Sequence, residues 1–228
     1  MHTDGIPLHI GINYVVSPPP EINTEKHLAF LKTLTDAGID FGNINITDQE
    51  IFIGKKTPPL QIRVITTDRP VGQLLIVAPH PNRPFALFCK EVESVVRAFG
   101  ETWKSQRQIL TCDSTIRYLY ESSSEHGFKE LWETRLRQPE NALSTFGRPV
   151  LGGGLRFVMP PTQSEDDPAQ IEVKIESYLQ DSKKIFVEVE FKWPQPKPPG
   201  ASFEPIRRLE TVNEYITNQV VAFINEGV

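Results

Sequence analysis

Cysteine is scarce in this chain. Cys89 and Cys112 are the only two in 228 residues, and they form no CxxC pair. That excludes a disulfide-stapled scaffold and a zinc finger, and it fits a reducing compartment. Catalytic signatures are missing too. There is no GK[ST] after the glycines of residues 152–154, no GxSxG and no HExxH. His2, His9, His27, His80 and His126 never pair at metal-ligand spacing. Local motifs therefore give no catalytic residue, no metal ligand and no cofactor. Long apolar runs are absent as well, and nothing approaches the roughly 20 residues of a membrane helix. The first residues, MHTDGIPLHIGINYVV, lack the basic start and long apolar stretch of a signal peptide. The expectation is a cytoplasmic protein without membrane contact. A net charge of −5 supplies no attractive field for nucleic acid, so that partner is not expected.

Proline, by contrast, is abundant at 20 residues, clustered in SPPP, TPP, PHPNRP, MPP and WPQPKPP. Each cluster separates patterned segments, because proline fixes φ and removes a donor. Between them the periodicity is legible. LHIGINYVV reads as a strand and residues 24–38 as a helix with a stripe of Leu28, Leu31 and Leu34, capped by Thr24 and closed by Gly38. NITDQEIFIG, PLQIRVITTD and GQLLIVAP read as three strands, followed by an amphipathic helix over about 84–103. The second half repeats the order: a strand at 108–121, a helix at 125–136, three strands, and a helix over 211–227 closed by Gly227. Ser122–Glu125 and Thr211–Glu214 have capping-box spacing. The predicted fold is α+β: duplicated β-α-β-β-β-α halves, 1–106 and 107–228, in one compact pseudo-symmetric unit. Its mainly antiparallel sheet carries helices on one face. In IEVKIESYL the residues Ile171, Val173, Ile175 and Leu179 point one way, opposite Glu172, Lys174 and Glu176.

The triple glycine in VLGGGLRFVM raises the question of a phosphate cradle. Such a loop needs a helix behind it, and LRFVM alternates like a strand. The glycines are expected to serve a bulge or close backbone approach, within a binding loop over 138–154. Glu172-Val-Lys174 and Glu190-Phe-Lys192 place an acid and a lysine on one strand face, as metal-dependent nucleases do. The competing reading is an ordinary charged strand face with cross-strand pairs, and Asp166, Asp167 and Asp181 sit in predicted turns. TIRYLYE places Tyr118 beside Arg117, a base-stacking arrangement or half-buried core tyrosines. The candidate binding residues are Arg117, Tyr118, Gly153, Arg156, Glu190 and Lys192.

The runs FALFCKEVESVVRAFGETW, STIRYLYE, GLRFVM and IEVKIESYL together resemble a sporadically distributed bacterial family of cytoplasmic proteins with two α+β halves. The family has no established activity, so the resemblance implies a fold and carries no site residue. The N-terminal strand departs from the family's pattern. The scattered distribution implies a defence-type gene cassette. The leading functional expectation is a non-enzymatic accessory or interaction protein with a protein partner or a homo-oligomer. The alternatives are a small-ligand sensor binding between the halves and an ExK nuclease.

Overall fold

Strict period-two alternation becomes strand wherever the sequence carries it. The computed structural model describes every residue except 2–3, 105, 164–166 and 226–228, and of residue 140 only the backbone. Its strands are β1 (Ile6–Ser17), β2 (Asn43–Ile46), β3 (Glu50–Lys56), β4 (Pro59–Thr66), β5 (Gly72–Pro79), β6 (Gln108–Glu121), β7 (Gly154–Met159), β8 (Gln170–Ser177) and β9 (Lys184–Trp193). They form one nine-stranded sheet in the order β2-β3-β4-β5-β1-β6-β9-β8-β7. Every pairing is antiparallel. The helices are α1 (Thr24–Asp36), α2 (Phe85–Thr102), the short α3 (Gly127–Lys129), α4 (Pro205–Tyr215) and α5 (Val221–Asn225).

One face of the sheet is sealed by these helices. Ile10, Ile12 and Tyr14 of β1, Leu74 and Ile76 of β5, and Val187, Val189 and Phe191 of β9 are buried, with one residue skipped each time. They meet Phe88, Val92, Val95 and Phe99 of α2 and Leu209 and Val212 of α4. Each such apolar side chain contributes roughly 1.5–3 kcal/mol relative to its exposed state. Phe99 is the hub, with Trp103 at 5.1 Å and Phe203 at 6.0 Å between ring centroids. It links α2 to the segment before α4. The alternate residues form the open face, which no helix among the described residues covers.

Several expectations need correction. NITDQEIFIG is not one strand but the β2–β3 hairpin, because Thr47 Oγ accepts from the backbone N–H of Glu50 and turns the chain. Residues 1–106 thus read β-α-β-β-β-β-α. Asn23, not Thr24, caps α1 by accepting from the N–H of Lys26, and Leu28 is exposed rather than in the stripe. Gly38 does close that helix, in the left-handed region at φ 77°. The helix expected at 125–136 is α3 followed by a π-helical stretch, Glu130–Arg135, and Ser122 donates to Glu130 instead of forming a capping box. The last helix starts at Pro205, six residues before Thr211, and bulges into a π-helical stretch at Ile216–Val220. Gly227 lies outside the described residues. Leu179 falls beyond β8 and is exposed.

The glycine run is a close approach and not a phosphate cradle. β7 follows it directly, with no helix behind it. A Cβ on Gly154 would stand 2.2 Å from the Ile175 carbonyl oxygen across the β7–β8 pair. Backbone cannot yield as a side chain does. Gly154→Ala is therefore expected to cost about 1–3 kcal/mol, measured by urea denaturation. An unchanged midpoint would contradict this reading.

Candidate functional site

The open face of the sheet gathers four of the six candidate residues. The pairing registers align Arg156 (β7), Lys174 (β8), Glu188 (β9), Arg117 (β6) and His9 (β1) in one row across five strands. The next row carries Glu172, Glu190, Thr115 and Gly11, and the third carries Lys192, Asp113 and Asn13. Sequence alternation assigns these residues to one face. Only the long-range register places them side by side.

The charges are knitted together. Arg156 grips the Glu172 carboxylate through two nitrogens, each at 2.9 Å. Lys174 bridges Glu172 at 3.2 Å and Glu188 beyond it. Arg117 donates to the other oxygen of Glu188. Glu188 is the centre of the ladder. Burial works against its charged form, but hydrogen bonds from Lys174 and Arg117 outweigh burial and hold its pKa below the ordinary carboxylate value. The row below is tied by Asn13 donating to Asp113 at 3.0 Å. Toward β1, β5, β4 and β3 the same face is mixed: partly buried Val15, Leu75, Val77, Ile65 and Phe52 stand among Gln61, Gln73 and the Glu50–Arg63 ion pair.

His9 ends the charged row. Burial first, and then the Arg117 guanidinium, lower its pKa to about 4 against the opposing pull of Glu188. The folded chain therefore binds fewer protons than the unfolded one between about pH 6.5 and 4. His9 then lowers stability as pH falls through that window and has no effect above it. Allowing for solvent screening at this partly open site, the loss is about 1–2 kcal/mol. The expected result is that His9→Gln flattens the fall in stability between pH 7 and 4 relative to the parent chain. An equal fall in unfolding free energy from pH 7 to 4 in parent and variant, measured by urea denaturation at both pH values, would contradict it.

The remaining candidates belong elsewhere. Tyr118 faces the helices and donates to Asn213 Oδ1 at 2.9 Å, with burial raising its pKa. It braces α4 against the sheet and is not a stacking platform. Gly153 is a turn residue whose N–H donates to Ser177 Oγ at 3.0 Å. The two ExK pairs do share the open face, and Glu172 stands opposite Glu190. Yet the Glu172 carboxylate is committed to Arg156 and Lys174. Asp167 is held by Lys197 and Arg208, Asp181 caps a turn by accepting from the Lys183 N–H, and Asp166 lies outside the described residues. Among the described residues no three His, Cys, Asp or Glu side chains converge to hold a metal ion. No helix among them is long and apolar enough to cross a membrane.

The 138–154 segment builds a cavity of its own. It encloses about 560 Å³ with α3, and Phe128 and Trp132 stack at 6.0 Å on one wall beside Lys129 and Arg148. A second cavity of about 290 Å³ lies between β7–β8 and the last helix, and a third, about 300 Å³, between α1, the β3–β4 turn and α2. None of these three draws on residues from both sides of position 106, so none is the cleft expected of a ligand sensor between residues 1–106 and 107–228.

No protein-family model matches this chain, and no curated protein is similar to it. The functional reading rests on the geometry of the open face and the cavities. Lys174, singled out in the sequence as part of an ExK pair, joins the ladder; His9 and Glu188 complete it and escape sequence reasoning as site residues. Their only signal is alternation, which says nothing about which charges become neighbours.

Proposed function

We propose that this chain is a non-enzymatic interaction protein that holds a protein partner on its open sheet face. It would serve as an accessory subunit or assembly factor of a multi-protein system in the bacterial cytoplasm, and the resemblance to a sporadically distributed family adds a defence-type setting. One observation carries the reading. A nine-stranded sheet keeps one face free of the described helices, and that face presents a ladder of fixed charges over β6–β9 and a mixture of partly buried apolar residues and the Glu50–Arg63 pair over β3–β5. Antiparallel sheets tolerate a solvated face, but charges already paired and held in place lose little entropy on docking and set register. We also read the chain as two related halves. The orders β3-β4-β5-β1 and β6-β9-β8-β7 run symmetrically outward from the β1–β6 pair, with β2 added at one end.

Tagged full-length chain recovered from its own cells is expected to bring down one protein in stoichiometric amount, released as salt rises. Recovery of the chain alone would overturn the reading. A second reading is a small aromatic anion in the 126–150 cavity. The Phe128–Trp132 stack beside Lys129 and Arg148 favours it.

A further inference from the structure

The sheet ends on β7, and among the described residues β8 is the one strand that pairs with it. The hydrogen-bond phase at this edge follows from one contact. The N–H of Ser177 donates to the Gly153 carbonyl at 3.0 Å. In an antiparallel pair the bonded positions alternate, so 153, 155, 157 and 159 bond to β8. Gly154, Arg156 and Val158 direct their N–H and C=O groups outward, into solvent.

Sheet edges are ordinarily blunted by proline, lysine, a bulge or a covering element. Among the described residues β7 has neither proline, bulge nor covering element between Gly154 and Met159; its one charge, Arg156, is drawn back over the sheet by Glu172, and its register with β8 is unbroken. The first blunting residue is Pro160, just past the strand. The opposite edge, β2, is four residues long and reads NINI. β7 is also apolar where it is open: Val158 is 55% exposed and Phe157 39%. On the helix side the 290 Å³ cavity runs alongside it, walled by Phe157, Met159, Val173, Tyr215 and Phe223.

We propose that β7 docks antiparallel on β7 of a second copy of this chain, with the twofold axis at Phe157. The sequence GLRFVM is self-complementary in that register. Phe157 meets its symmetry mate, and Leu155 meets Met159, all on the helix side where the two apolar cavities adjoin. On the open side Arg156 lies opposite Val158 of the second copy. Those two residues exchange both backbone bonds, as do their symmetry mates. Neighbouring registers are worse. An axis at residue 156 sets Arg156 against its own charge. An axis at 158 sets Pro160, which has no N–H to give, opposite Arg156 in the bonded pair next to the centre, whereas the axis at 157 leaves it opposite Gly154 at the end of the strand. An axis at 155 sets Phe157 over Gly153, where Phe128 stands 3.0 Å from the Cβ position. The charge and the occupied space exclude the axes at 156 and 155, and the axis at 157 keeps the proline farther from the centre than the axis at 158 does. The docked pair would form one continuous sheet with the open faces side by side. This edge is independent of the open-face partner reading.

Sedimentation equilibrium and oxidative cross-linking of the full chain test the proposal. The wild type is expected to be a dimer. Val158→Pro deletes a donor that β8 does not use, so it leaves thermal stability unchanged while weakening the dimer roughly 100-fold. Phe157→Cys is expected to form an intermolecular disulfide on mild oxidation, because residues facing each other on the axis in a non-bonded pair lie about 4.5 Å apart at Cα. Leu155→Cys is not. A wild type that stays monomeric up to high micromolar concentration overturns the proposal, including where β7 instead accepts an extended strand from another protein. A dimer that survives Val158→Pro, or that cross-links through Leu155→Cys but not Phe157→Cys, overturns it equally.

Discussion

Asp167→Asn is expected to lower the unfolding free energy by about 3–5 kcal/mol. The Asp167 carboxylate is buried and takes Arg208 on one oxygen and Lys197 on the other, each at 2.6 Å. Arg208 itself is 5% exposed and lies over the Trp193 ring at 4.3 Å. Three distant stretches therefore converge on one acid: the segment before β8, the proline-rich loop after β9, and α4. An amide keeps the volume of the side chain but not its charge. It leaves a buried guanidinium without its anion, and the cost is that of an uncompensated charge rather than of a lost contact. Chemical denaturation of parent and variant measures it. Replacing Asp167 and Arg208 together by leucine is expected to recover most of the loss, since well-packed apolar pairs often match buried ion pairs. A variant as stable as the parent would show that the acid does not hold α4 down.

Glu188→Lys is the second large effect. Lys174 and Arg117 both hydrogen-bond to Glu188, and no other carboxylate bridges β8 to β6 in that row. The substitution sets a third cation between two others on the partly covered centre of the ladder. Loss of two charge-assisted bonds plus repulsion is expected to cost about 2–4 kcal/mol. Partner capture should fall further than stability does, because the register of charges offered to the partner is inverted. Glu188→Gln should show the stability loss in reduced form. The two variants separate charge from hydrogen bonding when compared by denaturation and by capture at low and moderate salt.

Much of the scaffold was legible in the sequence because its signals are local. β6 and β7 begin and end where alternation begins and ends, and α2 differs from its predicted span by one residue at each end. Proline clusters marked the boundaries. What escaped depends on contacts far along the chain or on short-range competition. The turn at Thr47 is made by one hydroxyl within the four-residue polar stretch TDQE, a local signal that reading NITDQEIFIG as one strand passes over. The stretch from Glu130 to Arg135 winds as a π-helix, which has no residue signature. Pro205 at the first turn of α4 was a usable signal, hidden by the prolines before it. For the candidate site the same division holds. Alternation placed Arg117, Arg156, Glu190 and Lys192 on solvent-facing positions. It could not tell that β6 lies between β1 and β9, which makes His9 and Glu188 their neighbours. For Tyr118 the half-buried core reading holds, and its partner Asn213, 95 residues away, is what the sequence does not show.

The most direct test of the open-face account is capture by two charge-adding variants. Thr115→Arg places a bulky cation at the middle of the open face, between Glu190 and Gly11. Leu87→Arg places the same group on the outer surface of α2, where residue 87 is 51% exposed. Both positions are accessible enough for the fold to persist, which a thermal melt verifies. The expected result is a stoichiometric protein partner retained by the parent and by Leu87→Arg and lost by Thr115→Arg. Equal capture by both variants would take the partner off the middle of the open face, and loss with Leu87→Arg alone would place it on the helix side; either result contradicts the account.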